Sequence, residues 1–388
     1  MQKILLGGVF LLLVSACSTL VDSSRFGTPV TKLDVLKALA VAQHNDKVNL
    51  SGKNLSDLDL SFLNFKTADL SKSYLRNTNL EHSNLRSVNL QGSDLQNTNL
   101  AGATLNDANL KGANLRGADL TGSVLDGADL SGADLTDVVL DRSALRNVNF
   151  ANAIMRSASL QRVYLGGSNL SDVDMRNVKL DKSDLSDAIL RRTNFEGTDL
   201  KGVVFGHADM AEAQMTKADL RFADMREADL MYAIFERANL QEADLRGAKL
   251  LGARFVDADL QGAKLRGANL NEANFFEANL THALIFETSA VNAKFEWAIL
   301  NDAMLKNSDF SKCNFNNARI RNSNLQHSKL QYSTLIAVDF QNSDMREVDF
   351  GRANISGANF EGTNLQGAKN MDNAIGLDTT RNLDKARL

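Results

Sequence analysis

The stretch "GADLSGADL", residues 127–135, states the unit from which the chain is built. Two large apolar residues, Leu130 and Leu135, stand five apart, each preceded by Asp and, two positions back, by Ala128 or Ala133. The beat runs both ways from here. From Leu50 to Leu365 every position ending in 0 or 5 is Leu, Phe, Met or Ile, with Ala290 as the one exception. Positions ending in 3 and 8 are mostly Ala, Ser, Thr or Val, departing near the start at Lys53, Leu58 and Leu63. The residue before each large one favours Asn or Asp, and no insertion disturbs the register.

A five-residue period matches neither a 3.6-residue helix nor a two-residue strand. Two inward positions per five, one large and one small, suit a chain that turns a corner after each short extended segment. Four such segments close a square coil of twenty residues. Successive coils then hydrogen-bond as neighbouring strands do, about 4.8 Å apart. The interior predicted from this is a packed column of side chains with no room for a substrate.

The motif resembles the A(D/N)LXX repeat of the pentapeptide-repeat family over residues 46–365. The resemblance implies an all-β fold: a right-handed quadrilateral β-helix, a solenoid of about 16 coils and roughly 77 Å at ~4.8 Å per coil. Solenoids need their end coils covered. At the N-terminal end, residues 31–45 are predicted to contain a capping helix. Thr31 and Asp34 match a capping box, Leu33, Leu36 and Ala40 share one face, and Pro29 bars extension backward. A partner-binding helix is the other reading of this segment. Residues 366–388 lose the beat and are expected to cap the last coil and then fray, or to support end-to-end dimerisation as in some family members.

The chain opens "MQKILLGGVFLLLVSACSTL". Its apolar run is shorter than the ~20 residues a spanning helix needs, and reads as a removable secretory signal. Cys17 directly after Ser15 and Ala16 resembles the lipobox of bacterial lipoproteins. That resemblance implies a signal peptide over 1–16, acylation of Cys17, and a lipidated tether over 17–30. Ser18, where an Asp would retain the protein at the inner membrane, implies an outer-membrane anchor, on the periplasmic face. An ordinary cleaved signal with an incidental cysteine is the alternative. Cys313 is the other cysteine, so no internal disulfide is expected.

Chemistry is sparse. The five histidines pair with no Cys or His at metal-ligand spacing, and no nucleophile or phosphate-loop motif is present. Stacking at twenty places Asp209 beside Asp229 and Asp224 beside Asp244, with Lys249 and Lys264 next in each row. No catalytic residue, metal or cofactor is therefore expected. With 43 basic and 47 acidic residues, the balance points to no nucleic-acid partner. Outward positions are mainly polar, except at Met231, Tyr232, Leu251, Val256, Phe276, Phe286, Val291 and Trp297. Stacking at twenty joins Val256 to Phe276 and Met231 to Leu251, with Arg226, Arg246 and Arg266 expected beside them and Arg266 over the Phe286 ring. Such a composition marks a protein-docking surface. The expected function is a non-catalytic, lipid-anchored scaffold with a protein partner in the envelope. The alternatives are a DNA-mimic gyrase-protecting protein, which needs an acidic face, and an envelope enzyme or polysaccharide-binding protein.

Overall fold

The computed structural model describes residues 27–41 and 47–388. The signal peptide, Cys17 and most of the tether lie outside the described residues. From Asn49 to Lys369 the chain pairs with itself at a step of twenty, beginning Asn49↔Asp69 and ending Asp349↔Lys369, always parallel, with the step Lys179↔Asp199 alone unbridged among the described residues. One coil shows how the ladder is made. Leu130 donates its N–H to Asn149 O (2.8 Å), Gly132 to Ala151 O (3.0 Å), and Asp134 donates back to Ala113 O (2.9 Å). Within each unit a turn closes, as Ala133 N–H donates to Leu130 O (3.0 Å). The turn places its second residue in the left-handed region, at φ values such as 66° for Gly132 and 59° for Asp137. The residue before each large one locks the corner from outside, as the Asp129 carboxylate accepts the Ser131 N–H at 2.9 Å. This is why Asn and Asp recur at that position.

The large and small residues of each unit form one continuous buried column. Phenylalanines on one side stack on themselves. Phe235, Phe255, Phe275, Phe295 and Phe315 lie 4.7, 4.7, 4.9 and 4.7 Å apart between ring centroids and are nearly coplanar in tilt. The spacing is that of the coils, so the ladder sets the rings parallel at a centroid distance within the usual range for stacked aromatic pairs. Hydroxyls in the small column spend their polarity on the backbone below, as Thr98 Oγ1 does on Leu75 O (2.7 Å) and Ser143 Oγ on Leu120 O (2.7 Å). Cys313 follows the same rule with Sγ 2.8 Å from Ala290 O, and burial pushes its thiol far above the ordinary range, which leaves it inert.

Ala290 is fully buried. Phe310, one coil on, meets Phe295 and Phe315 edge-on at 6.1 and 5.7 Å, so rings occupy the volume a leucine would take. The turn before Ala290 is also irregular. Thr288 N–H donates to Ser308 Oγ (3.2 Å) where the turn bond to Ile285 O would be. Phe286 stays on the outside and does not tuck into the core.

Both ends differ in detail from the sequence expectation. Helix α1 (Lys32–Val41) begins at the predicted capping box, with Thr31 N–H on Asp34 Oδ2 (2.9 Å) and Asp34 N–H on Thr31 Oγ1 (3.3 Å). Its inner face is not Leu33, Leu36 and Ala40. Leu33 is 58% exposed and Leu36 39%, while Val35 is buried and Leu39 packs on the core. Apolar residues almost encircle this helix, so their period leaves its rotation open. The preceding strand fixes it: β1 (Thr28–Pro29) pairs with β2 (Lys53–Asn54), and Lys32 Nζ reaches Asp59 Oδ2 at 3.1 Å. Gly27, at φ 69°, is required there, because a Cβ would meet Gly52 O at 2.2 Å.

The C-terminal segment does not fray. It pairs Asn354↔Ile375, Asn359↔Arg381 and Asn364↔Arg387, so the step grows to 21, 22 and 23. The units have lengthened from five residues to six, each with a short 3-10 turn: Met371–Asn373, Leu377–Thr379 and Leu383–Lys385. Left-handed Asn370, Gly376 and Asn382 open them, and Met371, Leu377 and Leu383 pack on the last regular coil. The period-six signal "NMDNAI", "GLDTTR", "NLDKAR" was present in the sequence and hidden by the longer beat of five.

Removing a ring from the stack leaves a hole that its aligned neighbours cannot close without breaking coil spacing. Phe275→Ala is expected to cost about 3–5 kcal/mol in urea unfolding. Because Ala290 has no hole to fill, Ala290→Leu is expected to destabilise by about 1–3 kcal/mol through overpacking; a gain in unfolding midpoint would show that a void exists there.

Candidate interaction surface

A five-residue unit carries the chain a quarter of the way round, so residues twenty apart stack and residues ten apart lie on opposite corners. Val256 and Phe276 therefore stack, as do Met231 and Leu251, and the ladder bonds Asp257 N–H to Phe276 O (3.0 Å) and Tyr232 N–H to Leu251 O (2.9 Å) join the coils along these rows. Met231, Leu251, Val256, Phe276, Phe286 and Val291 are half-buried, because a corner side chain is covered by its counterparts above and below. The arginine row needs correction. Arg226, Arg246, Arg266 and Phe286 share one corner, next to that of Met231, Leu251 and Val291. It lies opposite that of Val256 and Phe276, so the residues named from the sequence occupy three corners and do not form one patch.

On the arginine corner, the partner two residues back decides each side chain's direction. Arg226 grips Asp224 through Nε (2.8 Å) and Nη2 (2.6 Å), and Arg246 grips Asp244 likewise. The Arg226 guanidinium hydrogen-bonded to Asp224 holds that carboxyl below its usual range. Lys264 stands where Arg266 would find its carboxylate. Arg266 turns instead to Glu287 Oε2 (2.8 Å) and lies over Phe286, 5.3 Å from the ring centroid, as the sequence suggested. Lys306 approaches the same ring at 6.0 Å. Leu284 and Met304, paired in the ladder on the adjoining face, extend this apolar site, and the sequence reading passed over both.

Of the carboxylate stacks, Asp229 meets Lys249 at 3.6 Å, while Asp209 is taken by Arg191 at 2.5 Å. Among the described residues, no group of three or more His, Cys, Asp and Glu side chains is placed to hold a metal ion. His207 and His327 face Glu227 and Glu347, one coil on, at 3.4 and 3.3 Å.

The most exposed rings share a backbone state. Phe62, Phe222, Tyr232, Trp297 and Tyr332 all occupy the left-handed turn position, with φ between 59° and 63°. Trp297 is 56% exposed and Tyr232 53%. A left-handed residue with a Cβ is disfavoured by about 1–2 kcal/mol, and bulky side chains are rare there. Five aromatic rings thus sit where Gly, Asn or Asp would be easier, each more than half exposed. The sequence reading named Tyr232 and Trp297 and missed the other three. Aromatic residues two places after the beat were the signal. Near Trp297, Glu296 Oε1 takes the Asn314 amide (2.5 Å), while its Oε2 is buried without a partner among the described residues. Trp297→Asn is expected to raise stability by about 1 kcal/mol in urea unfolding by relieving the turn, with no loss of fold by circular dichroism.

The family model described as "Pentapeptide repeats" matches in eight copies between residues 64 and 285, and "Pentapeptide repeat region" matches residues 292–369. Among solved structures, the chain is similar to HetL, a pentapeptide repeat protein involved in heterocyst differentiation regulation from Nostoc sp. strain PCC 7120. The two are 27% identical over 73% of this chain and 96% of that one, with a TM-score of 0.17. Rfr23 from Cyanothece 51142 is 23% identical over 42% of this chain and 99% of its own (TM-score 0.24). QnrB1, a plasmid-mediated fluoroquinolone resistance protein, is 20% identical over 60% and 92% (TM-score 0.22). No match was found among curated proteins. The repeat that begins at Leu50, the ladder it builds at every twentieth residue and the two family models, which match most of the chain, agree: this is a member of the pentapeptide-repeat family.

Proposed function

We propose that this protein is a non-catalytic scaffold of the bacterial envelope. Cys17 carries the lipid that anchors it to the outer membrane, and the β-helix presents docking surfaces to a protein partner in the periplasm. The observation that carries the reading is the set of exposed rings at left-handed turns. Each is unfavourable for the backbone and for solvation, and both costs are offset when a partner covers the ring. The cation-flanked Phe286 with Leu284 and Met304 has the aromatic and arginine composition of an interface centre. The filled interior supports a role played on the outside of the rod. Lipid attachment would also raise the local concentration of the rod at the membrane.

Two experiments test this. In the native host, Cys17→Ser is expected to move the protein from the membrane to the soluble periplasmic fraction and to abolish labelling by a clickable palmitate analogue. Photo-crosslinkers at Tyr232, Phe286 and Trp297 are expected to trap one recurring protein, and Phe286→Asp with Trp297→Asn to lose it. An unlabelled protein that fractionates with the cytoplasm would sink the envelope reading and favour the gyrase-protecting alternative.

A further inference from the structure

Helix α1 has one apolar face more than the coils cover. Its polar residues are Lys32, Asp34 and Lys37, and every other residue from Leu33 to Val41 is apolar. Val35 is buried and Leu39 packs on the column. Leu33, Leu36 and Ala40 recur at steps of three and four, so they share a second face. All three are exposed. Lys37 is exposed among them and makes no ion pair among the described residues. Lys32 and Asp34 are used elsewhere, on Asp59 (3.1 Å) and in the capping box with Thr31 (2.9 Å). A helix apolar on most sides is ordinarily buried on most sides. Here the coils cover one side and leave the other to solvent.

We propose that this outer face seats on the lipid bilayer to which the protein is anchored, and that the rod thereby stands upright on the membrane. The inference rests on the lipid anchor at Cys17 proposed above. Reach is the first argument for a bilayer. Gly27, where the described chain begins, is ten residues from Cys17, and that length of chain spans at most about 35 Å. The anchor therefore holds the α1 end of the rod near the surface. Direction is the second. The face lies across the helix from Val35 and Leu39, so it points away from the coils, and a bilayer seated on it leaves the rod rising from the surface. Chemistry is the third. Leu33, Leu36 and Ala40 offer an apolar surface to the headgroup boundary, while Lys37 extends its ammonium along the interface to anionic headgroups. Two leucines and an alanine are too little to hold a free protein on a membrane. With the lipid inserted they need not, because the tether supplies the local concentration and the helix supplies the orientation.

Seating α1 sets the height of everything above it. Trp297 lies in the row of Asp57, about twelve coils further on, or roughly 58 Å. On a loose tether the rod samples all tilts and brings its exposed rings down to the surface. On a seated helix they stay clear of the lipid, where a partner reaches them.

The test uses the lipidated full chain, purified from its host and reconstituted in vesicles of phosphatidylethanolamine and phosphatidylglycerol. Cys313 is buried and inert and Cys17 is blocked by its lipid, so Ala40→Cys gives a single reactive thiol for an environment-sensitive dye. On vesicles the dye is expected to shift its emission to the blue and to be quenched by lipids carrying a nitroxide near the headgroup. Trp297, the only tryptophan, reports height. Its energy transfer to a dansyl-labelled lipid is expected to be low. Leu33→Asp with Leu36→Asp changes two exposed side chains, so the circular dichroism spectrum and the urea midpoint should stay as they are and the protein should still float with the vesicles. Transfer from Trp297 should then rise several-fold as the rod tips over. Equal transfer in the two proteins, or an unquenched dye, would overturn the proposal and leave the anchor intact. A protein that does not float would overturn the anchor, and this inference with it. In the soluble Cys17→Ser protein the dye is expected to be in water. A buried dye there would overturn the membrane as occupant, in favour of a second copy if the protein sediments as a dimer and of the tether if it sediments as a monomer.

Discussion

The hydrogen-bond ladder between coils is the constraint from which the rest follows. It fixes the distance from each residue to its counterpart twenty positions away, so every chemical choice is repeated or contradicted at one vertical spacing. Phe235 to Phe315 stack with parallel rings because the backbone holds them so, and Asn79 donates to Asp59 (3.0 Å) for the same reason. Each coil touches only its neighbours, so errors and insertions act locally. Ala290 illustrates this: the missing volume is recovered from Phe295 and Phe310, and the register is intact one coil away.

The ladder makes the small column as important as the large one. Leucines and phenylalanines supply the burial, but Ala, Ser and Thr determine whether two coils can approach. From Ala218 to Ala318 one face carries Ala at every level and its bridges are continuous. At Lys179↔Asp199 one bridge of the ladder is missing among the described residues.

The same geometry decides the surface. Corners repeat on four sides, so a cluster must be assembled vertically, along one row and its immediate neighbours. Arg266, Phe286 and Lys306 form such a row, with Glu287 in the turn and Leu284 and Met304 on the face beside it. The left-handed turn position is the most protruding site on the rod. Rings placed there, such as Trp297 and Tyr232, are offered to solvent by the backbone itself. The family's repeat therefore provides a regular frame on which contact chemistry is written at a few positions.

Much of this was legible from residue order alone. The beat from Leu50 to Leu365 determined the turn spacing, the inward and outward positions and the stacking of Val256 on Phe276, because a strict period leaves one closed solution for the backbone. The capping box at Thr31 and Asp34 was equally local and equally readable. Other features were decided in three dimensions. The rotation of α1 was set by the β1–β2 pairing, since its own apolar residues ring the helix. The separation of the arginine row from Phe276 came from the quarter-turn per unit, which linear proximity conceals. The final coil exchanged a period of five for one of six. A sequence records what each residue is; only the folded ladder decides which residue it must lie against, because the main-chain bonds between coils fix that pairing.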